Sequence, residues 1–386
     1  MPLLNDEANF VFAKELGELK DWKHFNAMEL TSKLVHYISN RILVGPDLCR
    51  RADYRHATES LNMSHVVFGA LWNFVPLGPF RKPFYWVFSI PYRIQIRRAM
   101  NKYIIPIVEE RMEKKDDPSF RRNLDTIQLM VDMPPASPKE ADSFRHAIRI
   151  LHLHFASTGS SIALTHNILW QLLQMPECID PIRAEIMDVH AKYGSWESKH
   201  TLNHLHLLDS FIREVLRVHV PSARTYTIYS TLTSANNHAV VSLRLAQQPV
   251  TLHDGLKLAT GTKIVFPAQG IHFDPANYTA PRAFQPWRFA GTGPCDCEAE
   301  GVPKDVGRLK AEAVDETYLP FGYGKQACPG RFFALKVVKL IVARLIHEYD
   351  IKPAGSLPAS PSTGTMEGFF LPTKKMEIHL KNRSVD

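Results

Sequence analysis

A run of about 30 residues, FRHAIRILHLHFASTGSSIALTHNILWQLLQM, reaches Pro176 without an internal proline. Its apolar residues recur at helical spacing and cover most faces, which predicts one helix buried nearly all round. At 1.5 Å per residue that helix is roughly 45 Å long, far beyond the usual globular length. An element of this length has to cross the centre of the molecule. The Pro/Ser loop DMPPASPKEADS (132–143) precedes it, with Ser137 or Asp142 as the expected cap.

The flanking sequence reads the same way. SKLVHYISNRILVG, YRIQIRRAMNKYIIPIVEERMEKK, IRAEIMDVHAKYG and LLDSFIREVLRVHV all carry helical periodicity. Residues 225–270 then alternate and are rich in β-branched side chains, and PVTL-HDG-LKLATGTKIVF predicts a hairpin. A Pro-rich coil and a loop at 291–316 lead to FGYGKQACPG, and RFFALKVVKLIVARLIHEYD follows as a helix apolar nearly all round. The expectation is a mainly α protein with a small β component, one domain over residues 1–386. The 386 residues are 45% hydrophobic and 22% charged, which excludes wholesale disorder. Forty-six Lys+Arg against 39 Asp+Glu leave +7, spread along the chain, so no nucleic-acid partner is indicated.

Five sparse cysteines, Cys49, Cys178, Cys295, Cys297 and Cys328, argue against a disulfide framework and fit a reducing compartment. Cys295 and Cys297 form a C-x-C in a loop without further ligands nearby, a poor zinc site. No apolar run at the N-terminus has signal or anchor length. HVVFGALWNFVPLGPF (65–80) is interrupted by Asn73, Pro76 and Pro79 and is too short to span a bilayer. Core burial is its expected use, and contact with a membrane surface is the alternative.

FGYGKQACPG holds the most chemistry. Phe321, Gly322, Gly324 and Gly330 surround Cys328 just before a buried helix. Glycines allow turns and a close approach to a flat ligand, and Pro329 suits a first helical turn. A helix N-terminus favours the thiolate of Cys328, and such a thiolate suits an axial ligand of haem iron. A buried small apolar cysteine in a turn is the competing reading. With the spacing Phe321, Gly324, Cys328 and Gly330, the segment resembles the haem-binding loop of the cytochrome P450 family. The longer string CPGRFFA is similar to its filamentous-fungal, secondary-metabolism branch.

That resemblance extends to other segments. Glu214 and Arg217 form an E-x-x-R whose members share a helix face. Read alone, they are a surface pair worth little. With Arg288 of FQPWRF, the resemblance makes them a buried structural triad behind the haem. AST-GSS (156–161) falls where the family has a small residue pair, an acid and a threonine, which places Gly159 at the acid position and Ser160 at the threonine position. Ser160 is thereby the candidate for passing a proton on the distal side, with plain packing of small residues as the alternative. Gln326 and Arg224 fall where the family meets haem propionates, and His272 of HFDP falls in a structural loop.

The resemblance implies a P450-like haem-thiolate fold lacking its N-terminal portion, since SNRILVGPDLCR (39–50) is similar to family sequence that follows an anchor and a β-sheet region. TIYSTLTSANNHAVVSLR (227–244) has no place in the family pattern; a retained intron and a genuine surface insertion both account for it. The activity implied is monooxygenation of a small apolar molecule in secondary metabolism, a mycotoxin, terpenoid, alkaloid or polyketide. The cofactor implied is haem b on the Cys328 thiolate, with electrons from NADPH through NADPH–cytochrome P450 reductase. Lys325, Arg331, Lys336 and Lys339 are candidates for receiving that reductase. Leu153, Phe155, Ala156, Ser157, Val220 to Ala223, Phe369 and Phe370 are candidates for the substrate side. The family location is the endoplasmic reticulum membrane, and without an anchor the expectation for this chain becomes cytoplasmic. Two other readings stand: a haem-thiolate enzyme that rearranges substrate without activating oxygen, and a truncated remnant that cannot bind haem.

Overall fold

The computed structural model describes residues 1–74, 80–198, 200–219, 224–225, 239–240, 242–291, 309–366 and 369–383. In chain order its helices are α1 (Pro2–Glu15), α2 (Ala27–Val44), α3 (Pro46–Cys49), α4 (Ala52–Phe74), α5 (Arg81–Phe88), α6 (Ile90–Ala99), α7 (Ile105–Glu113), α8 (Thr126–Asp132), α9 (Ser143–Gln174), α10 (Ile179–Tyr193), α11 (His206–Val218), α12 (Ala268–His272) and α13 (Arg331–Glu348). Strands are short and mostly late in the chain, so the architecture is mainly α with a small β component.

The long proline-free run forms α9, 32 residues without a break. Asp142 stands at its N-cap, but the side chain makes no capping hydrogen bond, and Ser137 instead heads a separate 3₁₀ turn at Pro138–Ala141. The first half of α9 gives Ala147 and Ile150 to a core shared with Leu43, Tyr54, Met100 and Ile104. The second half gives Leu164, Ile168, Leu169 and Leu172 to the larger core, formed with α1, α2, α10, α11 and α13. One helix is therefore a wall of both cores, which is why it is apolar on most faces.

YRIQIRRAMNKYIIPIVEERMEKK is not a single regular helix. A π turn at Met100–Ile104 joins α6 to α7, and the Ile105 amide reaches back to the Met100 carbonyl. Pro106 follows at once; lacking an N–H, it interrupts the α ladder, and the wider turn absorbs the interruption. Near the other end, strands Lys23–Asn26, Glu377–Asn382 and Tyr349–Pro353 form an antiparallel sheet that pairs Phe25 with Ile378 and Leu380 with Ile351. The expected hairpin is present as Val250–Thr251 against Lys257–Leu258. Ser242–Leu245 pairs with Lys263–Phe266 and Arg224–Thr225 with Ala239–Val240. The interior of the unusual 227–244 stretch, apart from those strand residues, lies outside the described residues, as do Cys295, Cys297 and residues 75–79.

Within the apolar segment at 65–80, two of the described residues depart from the expected burial. Val67 is 41% exposed and Phe80 71% exposed. The α4–α6 pair packs inward through Leu61, Ala99 and Met100, and its outer side carries apolar residues that no described element covers.

Candidate functional site

Cys328 sits in a loop whose backbone is tightly specified. The Cys328 amide donates to the Phe321 carbonyl at 2.7 Å, closing the loop, and the Gly322 amide donates to the Leu319 carbonyl at 2.9 Å. Gly322 and Gly324 have φ of 70° and 69°, a region closed to most L-residues, so glycine is required at both. Gln326 is exposed at the end of a 3₁₀ turn, Gly324–Gln326. Gly330 is the N-cap of α13 and Pro329 lies just before it, so the proline precedes the helix rather than entering its first turn. A Cβ on Gly330 would lie 3.9 Å from Cys328 Sγ. Cys328 is exposed, which contradicts its reading as a buried apolar filler.

Behind the loop, α11 presents its charged residues to the interior. Arg217 donates from Nε and Nη2 to the two carboxylate oxygens of Glu214 at 2.8 and 2.7 Å. Arg288 Nε donates to the same carboxylate at 3.2 Å, as does the Gln285 amide at 2.9 Å. The structure thus brings Glu214, Arg217 and Arg288 together, and both α11 members are fully buried. This is not the surface pair that the helix spacing alone allows. Arg217 also donates to the carbonyls of His272, Pro281 and Ala283. His272 sits between α11 and the Cys328 loop: Nδ1 donates to the Arg217 carbonyl, and Nε2 accepts from the Leu319 amide at 2.9 Å. Burial holds its ring at a pKa of about 4, so it stays neutral and keeps both roles.

On α9, Leu153, Ala156 and Gly159 are exposed and Phe155, Ser157 and Ser160 half-buried. Among the described residues nothing lies within 4 Å of where a Gly159 Cβ would be. Ser160 Oγ donates to the Ala156 carbonyl at 3.2 Å, a bond along its own helix. No hydrogen bond, ion pair or ring contact joins Ser160 to the Cys328 loop among the described residues. Val220 to Ala223 lie outside the described residues, as do the side chains of Arg224, Phe369 and Phe370.

The chain matches the family model "Cytochrome P450" over residues 1–380. It belongs to the cytochrome P450 family. Among relatives, it is 39% identical to cytochrome P450 monooxygenase sirB of Leptosphaeria maculans, over 99% of this chain and 69% of that protein. It is 29% identical to cytochrome P450 monooxygenase olcJ of Penicillium canescens, over 100% of this chain and 68% of that protein. It is 27% identical to an ent-kaurene oxidase of Gibberella intermedia, over 99% and 67%. The P450 family is one of haem-thiolate monooxygenases, and the residues present fit that cofactor. An exposed cysteine, a soft donor, stands on a loop fixed by its own backbone, and among the described residues nothing lies within 4 Å of where a Gly324 Cβ would be.

The basic residues near Cys328 divide. Lys325 and Lys336 are exposed. Lys339 is 4% exposed, with Nζ 2.9 Å from Asp209 Oδ1, so it is no docking residue. Burial raises the Asp209 pKa and the Lys339 ammonium opposes that rise. Arg331 is half-buried and bonds the carbonyls of Glu312 and Cys328. The correction at Lys339 has a plain cause: it lies on the covered face of α13, where a cation must find an internal partner, whereas Lys336 on the same helix reaches solvent. A Lys and an Arg inside VVKLIVARLI were the signal, and Arg344 is likewise buried against Glu348 and Asn9.

Proposed function

We propose that this chain is a monooxygenase of fungal secondary metabolism in which Cys328 is the protein ligand of the haem iron and the substrate is a small apolar molecule. The observation that carries the reading is the Cys328 loop, with an exposed cysteine, two glycines at positive φ and a short amide bond back to Phe321. Bound haem supplies oxygen activation, using two electrons and two protons, and one oxygen atom enters the substrate. The chain's own groups do the rest. Cys328 would hold the cofactor, with Phe321, Gly324, Gly330, Gln326 and Arg224 as the other candidates to contact it. Leu153, Ala156 and Gly159 offer an apolar, open helix face that positions substrate and excludes water. Ser160 turns its hydroxyl from the Ala156 carbonyl to deliver a proton at Oγ. Glu214, Arg217 and Arg288 keep the loop's support rigid. Electrons come from NADPH through NADPH–cytochrome P450 reductase, whose acidic face meets Lys325 and Lys336.

For location, we place the protein at a membrane surface. Among the described residues no helix is long and apolar enough to cross a membrane. The outer side of α5 and α6 nevertheless exposes Trp86 (63%), Phe88 (51%), Val87 and Ile94 beside the exposed cations Lys82, Arg93, Arg97 and Arg98. Aromatic and aliphatic residues flanked by arginine match an anionic lipid surface.

The reduced, carbon-monoxide-bound difference spectrum tests the assignment. The chain shows the red-shifted Soret band of thiolate ligation, and Cys328→Ser abolishes it. A haem-loaded chain without that band, or a Cys328→Ser variant that retains it, overturns the reading. The lack of an acid at Gly159 favours one alternative, rearrangement of an already oxidised substrate. Turnover that needs neither NADPH nor oxygen would establish it.

A further inference from the structure

Arg213, one residue before Glu214, is 1% exposed on its side chain and pairs with Asp315 rather than with Glu214. Its Nη1 donates to the Lys310 carbonyl at 3.0 Å and the Ala313 carbonyl at 2.6 Å, and its Nη2 to Asp315 Oδ2 at 3.0 Å. The guanidinium lies 3.6 Å over the Tyr318 ring, whose hydroxyl donates to the Arg213 carbonyl. The turn at 310–315 is therefore gripped from α11. From its other side Arg331 Nε donates to the Glu312 carbonyl at 3.1 Å, and Arg331 Nη1 donates to the Cys328 carbonyl at 2.8 Å. The path from a buried helix to the candidate ligand is continuous: Arg213, the turn, Arg331, Cys328.

We propose that Arg213 is a positioning residue for the Cys328 loop, acting through the 310–315 turn and Arg331. This rests on Cys328 being the haem ligand. The physical argument is that burial of a guanidinium costs far more desolvation than burial of a methionine of similar size. An apolar residue would fill the space but could not hold three acceptors of a turn in register, which a rigid planar fork of donors does. Lysine keeps the charge and loses the fork. The 310–315 turn has another anchor, Ala311, which is buried and whose amide bonds Asp209 Oδ1 at 3.4 Å, while Asp315 is 45% exposed on its side chain. Without the Arg213 grip the Glu312–Asp315 part of the turn, against which Arg331 rests, loses its side-chain support, and the Cys328 carbonyl is held less tightly.

The test uses the full chain loaded with haem in four forms: wild type, Arg213→Lys, Arg331→Gln and the double variant. The readout is the ratio of thiolate-type to neutral-ligand bands in the reduced, carbon-monoxide-bound spectrum, with the melting temperature of each sample beside it. Each single variant lowers the ratio about fivefold, the scale of one lost hydrogen bond. The double variant is no worse than the poorer single one, because the two residues act in series. Multiplying effects, or an unchanged ratio in both folded single variants, overturn the proposal. If Arg213→Lys does not fold, Asp315→Asn replaces it and the same cycle with Arg331→Gln decides. A wild-type chain that carries haem without a thiolate-type band instead sinks the assignment of Cys328, an outcome separable from failure of the Arg213 role.

Discussion

At the scale of single residues, Glu214 concentrates the risk. Its carboxylate accepts from Arg217, from Arg288 and from the Gln285 amide, all away from water. Glu214→Gln leaves two guanidiniums without a counter-charge, and breaking a buried pair in this way costs about 3–5 kcal/mol. Urea unfolding of the variant should show an unfolding free energy lowered by that amount, seen as a lower midpoint at unchanged slope. Arg288→Gln removes only the outer partner and costs less. The triad was legible in the sequence only through the family resemblance of E-x-x-R and FQPWRF; the helix spacing alone gave a surface pair. Arg213 was not legible: in the string it is one more charge on a helix, and only the path of residues 310–315 makes it a clamp.

At the scale of elements, junctions matter more than interiors. Gly45 joins α2 to α3 with φ of 82°, and a Cβ there would lie 2.7 Å from Asp125 Oδ2. That carboxylate is committed: it accepts from Arg111 at 2.8 Å, while Asp125 caps α8 through the Gln128 amide. Gly45→Ala is therefore strained in backbone and side chain alike, and should cost about 1–3 kcal/mol in thermal unfolding. The α5–α6 pair makes a prediction of its own. Trp86→Glu with Phe88→Glu should lower binding to vesicles containing anionic lipid by roughly tenfold or more, since each buried aromatic contributes about 1.5–3 kcal/mol. Equal flotation of both proteins would remove the membrane reading while leaving the haem site untouched.

Over the whole molecule, buried histidines set the response to acid. Burial holds His154, His166, His190, His219 and His272 at about 4, against an ordinary value of about 6.5. Between these values the unfolded rings take up protons and the folded ones do not. Stability therefore falls as pH drops from about 6.5 toward 4, by up to about 1.4 kcal/mol per pH unit for each well-buried ring. His190 is less covered and contributes less. Glu185 opposes this: burial raises its pKa to about 7, although the Leu207 and Leu208 amides bond it. It loses stability as pH rises from about 4.5 through 7, and Asp209, also raised by burial, acts in the same sense, but the lowered histidines outnumber these two carboxyls. The urea midpoint of the cofactor-free chain should drop between pH 7 and pH 5, and a flat profile would show these rings to be solvated.

The sequence by itself determined the helices, the central place of α9, the late small strands and the spacing around Cys328. Each of these follows from periodicity, proline placement or turn chemistry within a few residues. The partners of charges were decided only by tertiary structure. Lys339 looked like a docking residue and is buried against Asp209; Arg331, a docking candidate too, also holds the Cys328 carbonyl; Val67 and Phe80 fell in a stretch expected to be core and are exposed. A local pattern states which residues can be buried. Which of them are buried, and beside whom, depends on segments a hundred residues away that the chain brings together only when it folds.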